Sequence, residues 1–305
     1  MTDPCLISQL EERGYQARIV PIKYLDNLQQ EIDKHYRQGL FDEQFYQESL
    51  TSFVFGSPDS LPEARSLIIV AVPRPQFQVI FTWRGKPVPV LVPSYYLCWR
   101  EAEKQLEDSL ARVLSPSGHR AIRAVLPQKL LAVCSGLGQY GRNNICYVPG
   151  MGSFFRLWTF YSDLACRDDD WQEARMMTSC QSCSACLHSC PTGAITSGRF
   201  LLHAERCITF HNEQPGDVLF PTWMDSCWHN CLIGCSYCQN VCPQNKDFWQ
   251  WIERGAEFLE DETSLLLEGV PLEQFPAATV EKLERLDLGD YADLLPRNLN
   301  VLLSQ

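Results

Sequence analysis

The run Cys180-Gln-Ser-Cys183-Ser-Ala-Cys186-Leu-His-Ser-Cys190-Pro191 confines the middle of this chain to a tight coil around an inorganic centre. Its C-x2-C-x2-C-x3-C-P spacing lets three thiolates wrap one cubane [4Fe–4S] cluster while the fourth cysteine points away toward a second. A second half follows, with Cys207 alone and then Cys235-Ser-Tyr-Cys238-Gln-Asn-Val-Cys242-Pro243, which repeats the C-x2-C-x3-C-P ending with its first ligand displaced upstream. Exchanging the fourth cysteine between the halves assigns Cys180, Cys183, Cys186 and Cys242 to the first cluster. Cys190, Cys207, Cys235 and Cys238 then hold the second.

Paired C-x2-C motifs also suit structural zinc, but zinc needs neither the third close cysteine nor the two C-P endings. Disulfides fit less well still, because the amino terminus Met1-Thr-Asp-Pro-Cys5 lacks a basic segment followed by an apolar one, so the expected location is the cytoplasm. Seven cysteines remain, Cys5, Cys98, Cys134, Cys146, Cys166, Cys227 and Cys231, and each is expected to be a small buried hydrophobe. Cys231 stands apart, since it could share a helical face with Cys235 and Cys238 and compete with Cys207. His203, His211 and His229 read as core or surface residues rather than ligands.

A chain of 305 residues can form two domains, and no apolar run approaches a membrane span; the longest aliphatic block, Leu67 to Val72, is strand-sized. The net charge of −11 argues against a general nucleic-acid surface. Between Asp108 and Asp163, however, there is no Asp or Glu, whereas Arg112, Arg120, Arg123, Lys129, Arg142 and Arg156 are all present. This segment reads either as a solvated basic face or as a site that receives phosphates or carboxylates.

Helices are expected over Pro4 to Gly14, Lys23 to Gly39 (with Leu25, Leu28, Ile32 and Tyr36 as one buried stripe), Tyr95 to Leu114 and Gln128 to Ser135. Strands are expected over Tyr15 to Ile22, Ser66 to Val72, His119 to Leu126 and the aromatic-rich run from Gly150 to Tyr161. Ser66 to Val72 should be a central strand buried on both faces. Phe77 to Trp83 and Val88 to Val92 alternate about Arg84-Gly85-Lys86 as a hairpin, whose return strand carries Pro87, Pro89 and Pro93 and so belongs at an edge. Beyond Pro243 the chain turns acidic, with helices expected over Asp247 to Phe258 and Thr279 to Leu286. A polar break at Arg167-Asp-Asp-Asp170 sets a boundary near 170.

A second stretch with chemical content is Gly136-Leu-Gly138-Gln-Tyr-Gly141-Arg142-Asn143-Asn144. Its glycines would let the backbone approach a flat or bulky ligand, and an Arg with two Asn can hydrogen-bond amides or phosphate. No dinucleotide-type helix with a downstream ribose acid follows, which excludes a Rossmann reading.

This glycine loop, then Gly152-Ser-Phe-Phe, the first cysteine run with Pro-Thr-Gly, Arg206-Cys207-Ile and Gly234-Cys235 with the second run succeed one another as in epoxyqueuosine reductases, which the chain resembles from about residue 60 to 300. The resemblance implies an α+β protein: an α/β cobalamin-binding domain at 1–170, a ferredoxin-like double [4Fe–4S] domain at 171–246, and a short helical C-terminal segment at 247–305 packing on the other two. It implies that the clusters reduce a corrinoid, which in turn reduces the substrate. Gly138, Gly141, Arg142, Asn143, Asn144, Ser153 and Phe154 are carried over as cobalamin contacts.

Two departures qualify the resemblance. The family's proton-donating Asp has no counterpart in Arg120-Ala-Ile-Arg-Ala-Val-Leu-Pro127-Gln-Lys-Leu-Leu, which leaves Tyr140, Tyr147, His119, Lys129 and Cys134 as candidates. Many members also carry a C-terminal helical-repeat extension that grips tRNA, whereas this sequence stops at its Arg297-Asn298 motif. The expectation is a divergent reductase with a small-molecule or nucleoside-like substrate rather than tRNA. Its electrons would come from a ferredoxin or flavodoxin docking through local basic patches. The alternatives are a corrinoid-reducing or reactivating protein and a ferredoxin-type electron carrier.

Overall fold

The computed structural model describes residues 3–167 and 169–305; Met1 and Thr2, and Asp168 within the polar break, lie outside the described residues. Among the described residues the strands are β1 (Gln16–Pro21), β2 (Ser66–Pro73), β3 (Gln76–Trp83), β4 (Lys86–Val92), β5 (Ala121–Arg123), β6 (Gln139–Tyr140), β7 (Cys146–Tyr147), β8 (Phe155–Ser162) and β9 (Ile252–Phe258). The α-helices are α1 (Asp3–Glu11), α2 (Leu25–Arg37), the single turn α3 (Glu43–Phe45), α4 (Trp99–Leu114), α5 (Gln128–Cys134), α6 (Ala185–Ser189), α7 (Ile208–Asn212), α8 (Tyr237–Asn240), α9 (Glu260–Glu268), α10 (Ala277–Arg285) and α11 (Leu295–Leu303). The class is mixed α and β, as expected. No described helix is long and apolar enough to cross a membrane.

The chain forms two compact units that cut across the three consecutive blocks read from sequence. One comprises residues 1–73, 101–184 and 195–204, and the other 74–100, 185–194 and 205–305.

The first unit is built on an antiparallel sheet in the order β1-β2-β8-β5. β2 is central and every residue from Ser66 to Val72 is buried, which accounts for its unbroken aliphatic run. Its two faces feed separate cores. Leu67, Ile69 and Ala71 join Leu28, Ile32, Leu131 and Tyr161, while Ile68 and Val70 join Leu6, Leu10, Leu106, Leu110 and Trp158. α2 buries Leu25, Leu28 and Ile32, but Tyr36 leaves the expected stripe: it is 37% exposed and stacks on Tyr46 at 3.9 Å. β5 is shorter than the strand expected over His119 to Leu126.

In the second unit β3 lies between β4 and β9, so the proline-bearing β4 is an edge strand as its missing donors require. The stretch Asp247 to Phe258, expected as a helix, instead ends in β9, which pairs in parallel with β3 across a register shift between Gln78 and Ile80. Phe258 is fully buried and its ring stacks on Phe81 at 5.2 Å. Burying this aromatic pair and gaining a ladder partner for β3 outweighs the local helical preference of a Glu- and Ala-containing segment. The block at 247–305 is therefore not purely helical, and its strand belongs to a sheet begun at residue 76.

Candidate functional site

In the first unit, α5 ends at Gly136 in the left-handed region, with Gly136 N donating to Val133 O and Leu137 N to Ala132 O. The chain then enters the short β6–β7 ribbon, in which Tyr140 opposes Cys146 and Gln139 opposes Tyr147. The expectation that Gly138 and Gly141 open the backbone to a ligand meets a different packing. A β-carbon at Gly138 would lie 2.7 Å from Cys146 Sγ and from Tyr147 O; one at Gly141 would lie 2.5 Å from Asn143 Oδ1 and 2.6 Å from Tyr147 Cε2. Both glycines admit the chain's own β7.

The polar residues of the loop are also engaged. Asn143 is buried, donates to the Tyr147 hydroxyl at 3.0 Å and accepts from Ile145 N. Asn144 adopts φ +56°, donates to Phe200 O at 2.8 Å and accepts from Leu202 N, so it pins residues 200–202. Arg142 donates through Nε to Cys183 O at 3.1 Å and through Nη2 to Cys180 O at 2.5 Å. The same link continues through the backbone: Tyr140 N donates to Arg175 O at 3.1 Å, and Met177 N donates to Tyr140 O at 2.8 Å. The glycine loop thus forms a wall of the first cysteine loop. Ser153 and Phe154 follow β7 as buried residues.

Of the candidate proton donors, Tyr140 is buried in an edge-to-face contact with Phe200 at 5.4 Å, and burial, with Cys146 and Cys134 adding to it, pushes its phenol well above the ordinary range. Burial also pushes the Cys134 and Cys146 thiols up to about 12, while the exposed Lys129 pulls Cys146 down. Register puts Tyr147 on the opposite face of the ribbon from Tyr140. His119 is not brought together with these groups; its Nδ1 lies 3.4 Å from Asp163 beside β8.

The carboxylate-free segment does not gather into a uniform basic patch. Arg120 pairs with Glu63 at 3.0 Å and Arg123 with Glu103 at 2.7 Å, both partners coming from outside the segment. Arg142 is committed to carbonyls, Arg156 lies over the Trp158 ring, and Arg112 is exposed.

The second unit brings together Cys190, Cys207, Cys235 and Cys238, close enough that Cys190 acts electrostatically on Cys207, and Cys238 and Cys207 on Cys235. Cys207 caps the N-terminus of α7, and the Thr209 and Phe210 amides point at its sulfur, as the Tyr237 amide does at Cys235. Burial raises both thiols while these donors oppose it, so the pocket favours sulfur carrying negative charge only when a cation shares it. Amides aimed at sulfur suit a cubane, whose thiolates accept such bonds. Cys231 is fully buried beside Cys235, with its thiol pushed up to about 12 by burial and bonded by Ser236. Of the first set, Cys180 and Cys183 belong to the first unit and Cys186 and Cys242 to the second. Among the described residues no group of three or more His, Cys, Asp or Glu is arranged for a single metal ion.

Sequence reasoning passed over the residues that brace the second set. The Arg297 guanidinium donates to five backbone carbonyls, those of His211, Asn212, Gln214, Pro215 and Val218, and its face stacks on Phe220 at 4.4 Å. Asn298 donates to Asn212 O and Leu232 O, and Asn212 donates to Gly234 O at 2.9 Å. This network joins the helix that starts at Cys207 to the loop that reaches Cys235. The adjacent Arg297-Asn298 pair was the available signal, because an Arg beside an Asn in an apolar helix must find acceptors.

Residues 179–245, which contain all eight motif cysteines, match the family model described as a 4Fe-4S double cluster binding domain. The chain is 31% identical over 177 residues to the epoxyqueuosine reductase of Alicycliphilus denitrificans, an alignment covering 57% of this chain and 45% of that one. It spans about half the length of the curated relatives it matches. Its fold superposes on the epoxyqueuosine reductase of Streptococcus thermophilus with a TM-score of 0.66 at 19% identity, over 98% of this chain and 80% of the other. A structure of an epoxyqueuosine reductase with an epoxyqueuosine-modified tRNA stem loop gives 0.61 at 23% identity over the same shares. In sequence over its matched part, and in fold over nearly its whole length, this iron–sulfur chain is similar to epoxyqueuosine reductases.

Proposed function

We propose that the protein is a cobalamin-dependent iron–sulfur reductase of the epoxyqueuosine reductase type, acting on a nucleoside-like substrate. The observation that carries this reading is the presence of all eight cysteines in the segment matching a double cluster domain. The attachment of the glycine loop to that segment through Arg142 supports it. Cys190, Cys207, Cys235 and Cys238 would hold one [4Fe–4S] cluster, and Cys180, Cys183, Cys186 and Cys242 the other, the second assignment resting on spacing. A bound corrinoid would supply a low-potential metal centre that accepts electrons from a cluster and delivers them to substrate.

The chain's own residues divide the remaining work. Thr209, Phe210 and Tyr237 direct amides at the thiols and favour charge there. The Asn143–Tyr147 and Asn144–Phe200 bonds would hold the loop so that little rearrangement accompanies electron transfer; Ser153 and Phe154, buried just after β7, are kept as candidate cobalamin contacts. Tyr140 and Tyr147, on the ribbon that continues this loop, are candidate proton donors; Tyr140 would have to donate as a neutral phenol. An electron donor of the ferredoxin or flavodoxin type would complete the chain.

The test is anaerobic reconstitution with iron, sulfide and cobalamin, followed by absorption and EPR spectra before and after a low-potential reductant. About eight irons per chain and a retained corrin whose spectrum changes on reduction support the reading. A substrate screen then begins with the epoxyqueuosine nucleoside and the modified tRNA stem loop. A corrin that is reduced without turnover of either leaves a corrinoid-reactivating protein. About eight irons with no retained corrin leaves an electron carrier and overturns the proposal.

A further inference from the structure

We infer that Arg142 is a positioning residue that raises the reduction potential of the cluster carried by Cys180 and Cys183; the inference rests on the proposal that these cysteines ligate a cubane. Its guanidinium bridges the carbonyls of two ligand residues, Nη2 to Cys180 O at 2.5 Å and Nε to Cys183 O at 3.1 Å. Two bonds from one planar fork hold both peptides in a fixed relation, which a lysine ammonium does less well. Among the described residues no carboxylate pairs with Arg142, so its charge is not neutralised locally.

That charge is partly buried, where screening is weaker than in water. It lies against the backbone of two residues whose sulfurs would bind iron. Taking up one electron makes a cubane more negative by one charge, and a fixed cation beside it favours the reduced form. Arg123 and Arg120, by contrast, are paired with Glu103 and Glu63 and contribute no such bias. The sequence reading had placed Arg142 on an external ligand; its observed partners instead make it part of the cluster's surroundings.

The test is an EPR-monitored redox titration of the reconstituted full chain and of its R142M, R142Q and R142K variants. Removing the charge in R142M should make the first cluster harder to reduce by about tenfold, which is about 59 mV for a one-electron couple. The cluster on Cys190, Cys207, Cys235 and Cys238 should not move and serves as the internal reference. R142K keeps the charge and should shift by less than half as much. R142Q removes the charge while keeping a donor for one carbonyl, and carries the test if R142M loses iron. An unchanged first potential in R142M or R142Q at full iron content, or equal shifts in both clusters, overturns the inference. Failure of the wild-type chain to assemble two cubanes would instead bring down the double-cluster reading on which it rests.

Discussion

The Tyr147 ring stands where a side chain at Gly141 would begin, 2.6 Å from an ideal β-carbon there. Tyr147 is in turn held by the Asn143 amide at its hydroxyl. Gly141→Ala should therefore displace a buried aromatic ring and destabilise the first unit by about 1–3 kcal/mol, the usual range for overpacking. Adding Tyr147→Leu should cost less in the Gly141→Ala background than in the wild type, because there it also removes the ring that the new β-carbon meets. Urea denaturation of the four proteins measures this coupling, and strict additivity would rule out the packing account.

Asn144 combines a left-handed backbone with two hydrogen bonds to the 200–202 segment. Asn144→Gly keeps the backbone and loses the bonds, whereas Asn144→Ala loses both. The alanine variant should be the less stable, by about 1 kcal/mol relative to glycine. In both variants the peptide bond after Arg199 should become more sensitive to trypsin, since Asn144 no longer holds its neighbours. Equal stability of the two variants would mean that the backbone conformation relaxes freely.

Local spacing made the double-cluster segment legible, because a cubane's ligand geometry is encoded in the separations within one short loop. The aliphatic run of β2 was legible for a similar reason: burial on both faces leaves no alternation to obscure it. What escaped the sequence depended on partners far along the chain. Ile252–Phe258 is a strand only because β3, more than a hundred residues earlier, offers it a ladder and Phe81 offers Phe258 a stacking partner. The basic stretch looked unneutralised because Glu63 and Glu103 lie outside it. The glycines of the loop were visible as a motif, but whether they admitted a ligand or β7 was a question of tertiary packing.

Arg297 satisfies five carbonyls that surround the turn after α7. Arg297→Ala should leave several of them without a partner and destabilise the second unit by about 2–4 kcal/mol. Because Cys207 caps α7, the cluster proposed for Cys190, Cys207, Cys235 and Cys238 should become the more labile of the two. Timed iron release to a chelator, with EPR distinguishing the clusters, checks this; loss of both at equal rates would disconnect Arg297 from the second set. Arg297→Lys should recover only part of the effect, since an ammonium has three donors and no plane to lay on Phe220.

His229 is almost wholly buried, donates from Nδ1 to Asn212 Oδ1 at 3.0 Å and meets Phe220 edge-on at 4.4 Å. Burial lowers its pKa to about 4, and the nearby Arg297 and His211 act in the same direction. The folded state therefore binds its proton less readily than the unfolded chain, whose imidazole titrates near the ordinary value of about 6.5. The stabilisation is complete above that value and is lost progressively as the pH falls from about 6.5 toward 4. Stability of the reconstituted protein measured by urea denaturation at intervals from about pH 7.5 to 5 should fall more steeply in the wild type than in His229→Gln, which cannot take up the proton. Acid loss of the clusters affects both proteins alike and cancels in the comparison. Parallel profiles would show that His229 takes up its proton as readily in the folded state as in the unfolded chain, and would rule out burial as a depressant of its pKa.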